Sequence, residues 1–152
     1  MIEEIYVSLE VARLLREKRF DETCRAYWGG FIDKPLYLCE CNRGKFFDYC
    51  RNSWLKVNVC DDEQDYMAAP TQQIVMKWLR EVHYIHTEIC LYKTNKDDIE
   101  PKKSRKAPYY TFGVWDTVTG NNVDKRLTND FIGDSYEEAC EAAIKYCLEH
   151  LI

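Results

Sequence analysis

Apolar residues recur along this chain with different spacings, and each spacing predicts a different element. Ser8 precedes a run at 9–19 in which Val11, Leu14 and Leu15 repeat at helical spacing, with Glu10 in the first turn and Arg16, Lys18 and Arg19 in the last. A capping hydroxyl and charges of the right sign for the helix dipole predict a helix there. Pro70 and Thr71 open another, where Ile74, Val75, Trp78, Leu79 and Val82 draw one broad apolar stripe with Trp78 as its core anchor. The chain closes on a helix begun by Ser135, with Glu138 completing a capping box and Ala139, Ala142, Ala143, Ile144, Cys147, Leu148 and Leu151 on its buried side.

Between these helices the period changes to two. Residues 83–92 place Ile85, Thr87, Ile89 and Leu91 on one face and His86, Glu88, Cys90 and Tyr92 on the other, the pattern of a half-buried strand. Residues 109–118 resume strand character before a turn at Thr119, Gly120, Asn121 and Asn122, and 123–127 would supply a third strand. Residues 23–59 are aromatic and β-rich and read as two or three strands, with 36–41 and 54–59 as the clearest. Residues 60–69 carry Asp61, Asp62, Glu63 and Asp65 without apolar periodicity.

An α+β chain is therefore expected. Residues 1–60 would form an N-terminal helix with a β-rich lobe, 61–69 an acidic linker, and 70–152 a helix, an antiparallel three-stranded sheet and a closing helix; the alternative is one compact domain.

Composition narrows the classes of function. At 152 residues, with 46% hydrophobic and 14% aromatic residues but only six glycines and four prolines, the chain has a core-forming and not a disordered composition. A net charge of -5 argues against a general nucleic-acid coat, which needs lysine and arginine to displace counterions from phosphates. Met1 leads into Glu3 and Glu4 with no basic and apolar leader, and no window holds the roughly 18 apolar residues of a membrane span. The expectation is a cytoplasmic protein without a membrane partner, whose eight cysteines (24, 39, 41, 50, 60, 90, 140 and 147) are reduced and mostly buried.

Four constellations could carry chemistry. His83 and His86, with Glu81, Glu88 and Cys90 nearby, are the densest group of metal-ligand types, but His83 falls at a helix end, where an imidazolium suits the dipole, and a third fixed ligand is missing. No metal and no other cofactor is expected. Cys39 and Cys41 share a strand face at neither the zinc-knuckle nor the thioredoxin spacing, and Asp61, Glu63 and Asp65 lack the glycine and closing glutamate of a calcium loop. The loop holding Lys102, Lys103, Arg105 and Lys106, followed by Tyr109 and Tyr110, is the one basic patch and the candidate ligand-binding site. No serine elbow, phosphate-cradling glycine loop or dinucleotide fingerprint is present, so no catalytic residue is assigned and the reading leans away from an enzyme.

Residues 69–86, APTQQIVMKWLREVHYIH, together with 7–21 (VSLEVARLLREKRFD) and 136–152, resemble small proteins encoded by phages and prophages of Bacteroides-type bacteria. The resemblance implies a phage or mobile-element accessory protein in a bacterial cytoplasm. The order helix, three strands, helix across 71–151 also resembles that of double-stranded RNA-binding domains. Their last helix begins with a lysine cluster that meets phosphates, whereas here the equivalent place reads Asp134, Ser135, Tyr136, Glu137, Glu138.

Aromatic abundance without catalytic spacing points to a protein that acts by protein–protein interaction, with a host or phage partner or a second copy of itself. The rival expectation is a binder or hydrolase of a small anion such as a nucleotide, or a nucleic-acid binder, using the loop at 102–106.

Overall fold

The computed structural model describes residues 4–41, 49–92, 108–124 and 133–152. It has α+β architecture, with helices α1 (Leu9–Glu17), α2 (Asn52–Asn58), α3 (Gln72–Val82) and α4 (Tyr136–His150) and strands β1 (Ala26–Phe31), β2 (Tyr37–Glu40), β3 (Gln64–Ala68), β4 (Ile85–Tyr92) and β5 (Tyr109–Asp116). One antiparallel sheet runs in the order β2-β1-β3, and a second pairs β4 with β5 from Ile85 opposite Asp116 to Tyr92 opposite Tyr109.

The three helices read from their caps form as expected, because each cap is local. Ser8 Oγ accepts from Val11 N–H at 3.2 Å, Thr71 Oγ1 from Ile74 N–H at 3.4 Å and Ser135 Oγ from Glu138 N–H at 3.1 Å. At α4 the reciprocal bond reaches one residue further back, Asp134 N–H donating to Glu138 Oε2 at 2.7 Å. In α3, Val75, Trp78 and Leu79 are buried, but Val82 at the far end of the predicted stripe is 52% exposed. In β4, Ile85 and Thr87 are buried while Leu91, on the same face by sequence, is 48% exposed.

Of residues 54–59, read as a strand, 54–58 belong to helix α2 and Val59 is its C-cap. Arg51 at its N-cap makes no side-chain capping bond. The cap comes from Asp21 instead, whose carboxylate accepts from Ser53 N–H and Ser53 Oγ, both at 2.7 Å. Leu55 faces the core, and Trp54 and Val57 are exposed.

The acidic stretch read as a linker carries strand β3. Asp61 Oδ1 accepts from Glu63 N–H and Gln64 N–H and turns the chain into the strand; Asp65 is held by Arg16 of α1 through two bonds of 2.6 and 3.3 Å. Asp61 and Asp65 are thus engaged, while Asp62 and Glu63 are exposed. One hydrophobic cluster runs through both sides of this segment, from Val11, Leu15 and Phe20 through Cys50, Leu55 and Met67 to Trp78, Val114, Ile144 and Leu148. Trp78 is its anchor, 7% exposed, with Phe20 edge-on at 5.2 Å between ring centroids.

The second sheet has two strands among the described residues. Beyond the turn, where Gly120 takes φ +71°, Asn122 bridges Trp115 and Val123 N–H donates to Val114 C=O at 2.9 Å. Of the third strand expected at 123–127, residues 123 and 124 lie in no strand, and residues 125–127 lie outside the described residues.

Candidate functional site

Of the six residues proposed for ligand binding, Lys102, Lys103, Arg105 and Lys106 lie outside the described residues. Tyr109 and Tyr110 are half-buried on β5. Tyr110 exchanges backbone hydrogen bonds of 2.9 Å with Gly133, and its ring stands edge-on to Tyr136 at 6.3 Å. That packing commits the Tyr110 ring to α4.

The histidine group disperses. His83 caps α3 with its ring edge-on to Trp78 at 4.4 Å, and burial lowers its pKa, which works against the imidazolium expected at a helix end. Its Nε2 is buried with no hydrogen-bond partner among the described residues. His86 is exposed on β4, and Glu88 Oε2 accepts from Trp115 Nε1 at 3.2 Å. Among the described residues, no three ligand-type side chains form a group that could hold a metal ion.

The thiols converge where the sequence scatters them. Cys24 and Cys50 are antiparallel bridge partners that exchange two backbone hydrogen bonds of 2.9 Å, and Cys41 N–H donates to Arg25 C=O beside them. Cys50 Sγ donates to Ala26 C=O at 3.2 Å and Cys24 Sγ to Glu22 C=O at 3.3 Å. Burial pushes the Cys24 thiol up to about 12 and that of Cys50 higher still, with the neighbouring thiols adding to both. Such thiols are poor nucleophiles and poor metal ligands, because both roles need the thiolate. All eight cysteines are free.

Two features have the geometry of recognition. The first is the outer edge of β2, which no strand pairs among the described residues. Tyr37 and Leu38 are 64% and 41% exposed on its opposite faces, and Phe31 and Ile32 are exposed in the hairpin that joins it to β1. On the far side of β1, its pairing with β3 depends on Gly29, where an added Cβ would lie 2.2 Å from Tyr66 Cδ1.

The second is a cavity of about 670 Å³ between the end of α1, the start of α2 and β3. Its walls are tied together. Asn52 Nδ2 donates to Phe20 C=O at 2.8 Å while Asn52 Oδ1 accepts from Ala68 N–H at 2.9 Å, and the Asp21–Ser53 and Arg16–Asp65 contacts close two further sides. Helix α1 ends in a Schellman motif, with Phe20 N–H bonding Leu15 C=O and Arg19 N–H bonding Arg16 C=O. The residue that adopts the left-handed conformation there, usually glycine, is Arg19, at φ +60°. Its exposed side chain is thereby set on the cavity rim, and Lys56 of α2 lies on the same rim.

Sequence reasoning missed this cavity because its residues come from three separate stretches. The one local signal was a helix ending in Lys18-Arg19-Phe20 where a glycine would have been ordinary. Compared with protein-family models, characterised proteins and solved structures, the chain finds no match.

Proposed function

We propose that the chain is a non-enzymatic accessory protein that works by binding another protein, taking an extended segment of that partner onto the edge of β2. The setting is the phage or mobile element implied by the resemblance in residues 69–86. The observation that carries the reading is the combination of an unpaired strand edge among the described residues with exposed Tyr37 and Leu38 on its two faces. An added strand gains backbone hydrogen bonds from the edge and specificity from the alternating side chains. Left uncovered, such an edge is a liability that proteins blunt with charge or proline; here Glu40 is the one charged residue of the strand. Tyr37, Phe31 and Ile32 supply the aromatic and aliphatic anchors on which interfaces depend.

The test is selection of peptides from a random library by the intact chain, followed by hydrogen exchange of the bound complex. Selected peptides should be extended and apolar, should slow exchange at Tyr37 to Glu40, and should lose binding to a Tyr37→Lys, Leu38→Lys variant of unchanged thermal stability. Peptides that bind this variant as well as the wild type, or a selection that enriches none, would remove the β2 edge from the function.

A further inference from the structure

We propose that the cavity between α1, α2 and β3 binds a small zwitterion with an apolar body, of the class of free amino acids and short peptides. This goes beyond the β2 reading and does not depend on it. The cavity is lined by three cations, Arg16, Arg19 and Lys56, and three carboxylates, Glu17, Asp21 and Asp65. Arg16 and Asp65 neutralise each other at 2.6 Å, and Asp21 is taken by the backbone and hydroxyl of Ser53. Arg19 and Lys56 make no ion pair with a described residue, and neither does Glu17. Two uncommitted cations beside one uncommitted carboxylate complement a ligand carboxylate and a ligand ammonium together. A dianion such as a nucleotide phosphate would meet the two cations but also the uncommitted carboxylate of Glu17.

The rest of the lining suits an apolar body. The half-buried Cys60 and Tyr66 belong to the lining, together with long basic side chains whose stems are apolar. The volume falls within the range of about 300 to 1,000 Å³ common for small-molecule sites. The walls are fixed in advance by Asn52 and by the Asp21 and Arg16 contacts, so binding orders little protein and loses little entropy. The site also explains why the chain keeps an arginine in a left-handed conformation: strained backbone persists where a side chain is needed in that place.

The experiment is calorimetric titration of the full chain with L-phenylalanine and with the dipeptide leucyl-phenylalanine, which differ in size but share both charges and the apolar body. N-acetylphenylalanine, without the ammonium, and phenethylamine, without the carboxylate, are the controls. Saturable binding of at least one zwitterion is expected, with both controls weaker. Arg19→Gly and Lys56→Gln should each weaken it about fivefold, the size of one rim ion pair. Because Arg19→Gly relieves strain, its unliganded melting temperature should rise while its affinity falls, which separates recognition from folding. No saturable binding of either zwitterion, controls that bind as well, or an Arg19→Gly variant with wild-type affinity would each overturn the proposal.

Discussion

The carboxamide of Asn52 holds the backbone N–H of Ala68 at 2.9 Å and so fastens α2 to β3, while its other end donates to Phe20 C=O at 2.8 Å. The residue is buried, so Asn52→Ala leaves a donor and an acceptor unpaired in the interior. Each such group costs about 1 to 3 kcal/mol, and a loss of about 2 to 5 kcal/mol is expected in urea denaturation. A loss under about 1 kcal/mol would mean that water reaches both groups and the clamp is dispensable.

Trp78→Ala removes the largest side chain of the core cluster and its edge contacts with Phe20 and His83. Truncation of a buried aromatic of this kind costs about 3 to 5 kcal/mol. Equilibrium denaturation measures it directly, and a value near 1 kcal/mol would place α3 at the periphery.

The pH dependence of stability has a defined sign at His83. Burial lowers its pKa from the ordinary value, so the unfolded chain takes up a proton that the folded chain refuses. Its contribution is complete above the ordinary value of about 6.5, shrinks as the pH falls below that, and is gone once the folded pKa is passed. His83→Phe keeps a flat ring on Trp78 and removes the buried Nε2. The melting temperature of this variant should gain on that of the wild type as the pH falls from about 7 to about 5; parallel curves would show that His83 protonates freely in the fold.

Thiol reactivity should divide by burial. Native-state alkylation at pH 8 should spare Cys24, Cys50, Cys140 and Cys147, all buried, while the half-buried Cys39, Cys41, Cys60 and Cys90 react over time. After unfolding, intact mass should show all eight modified. A constant deficit of two would reveal a disulfide, and rapid labelling of Cys50 would contradict the burial that raises its pKa.

How much was legible follows from how local each cause is. Ser8, Thr71 and Ser135 cap their own helices, so α1, α3 and α4 could be read within one turn of sequence. Helix α2 could not, because Asp21 caps it from 32 residues away and its exposed Trp54 and Val57 imitate a strand's apolar content. Strand β3 was hidden by its acidic neighbours: Asp65 reads as solvated until Arg16, 49 residues earlier, is placed against it. For the same reason the cavity and the Cys24–Cys50 bridge, each assembled from distant stretches, left no periodic trace.

The long-range cap of α2 also bears on the order in which the chain folds. A helix of seven residues is far below the length at which an isolated helix persists, roughly 12 to 15 residues, and the side chain that satisfies its first turn arrives only when the end of α1 has docked. Helix α2 is therefore expected to be sparsely formed in the unfolded chain and to consolidate after α1 has met the sheet. Its formation closes the last hydrogen bonds around Asn52, so a Leu55→Ala change there should speed unfolding and leave the refolding rate nearly untouched.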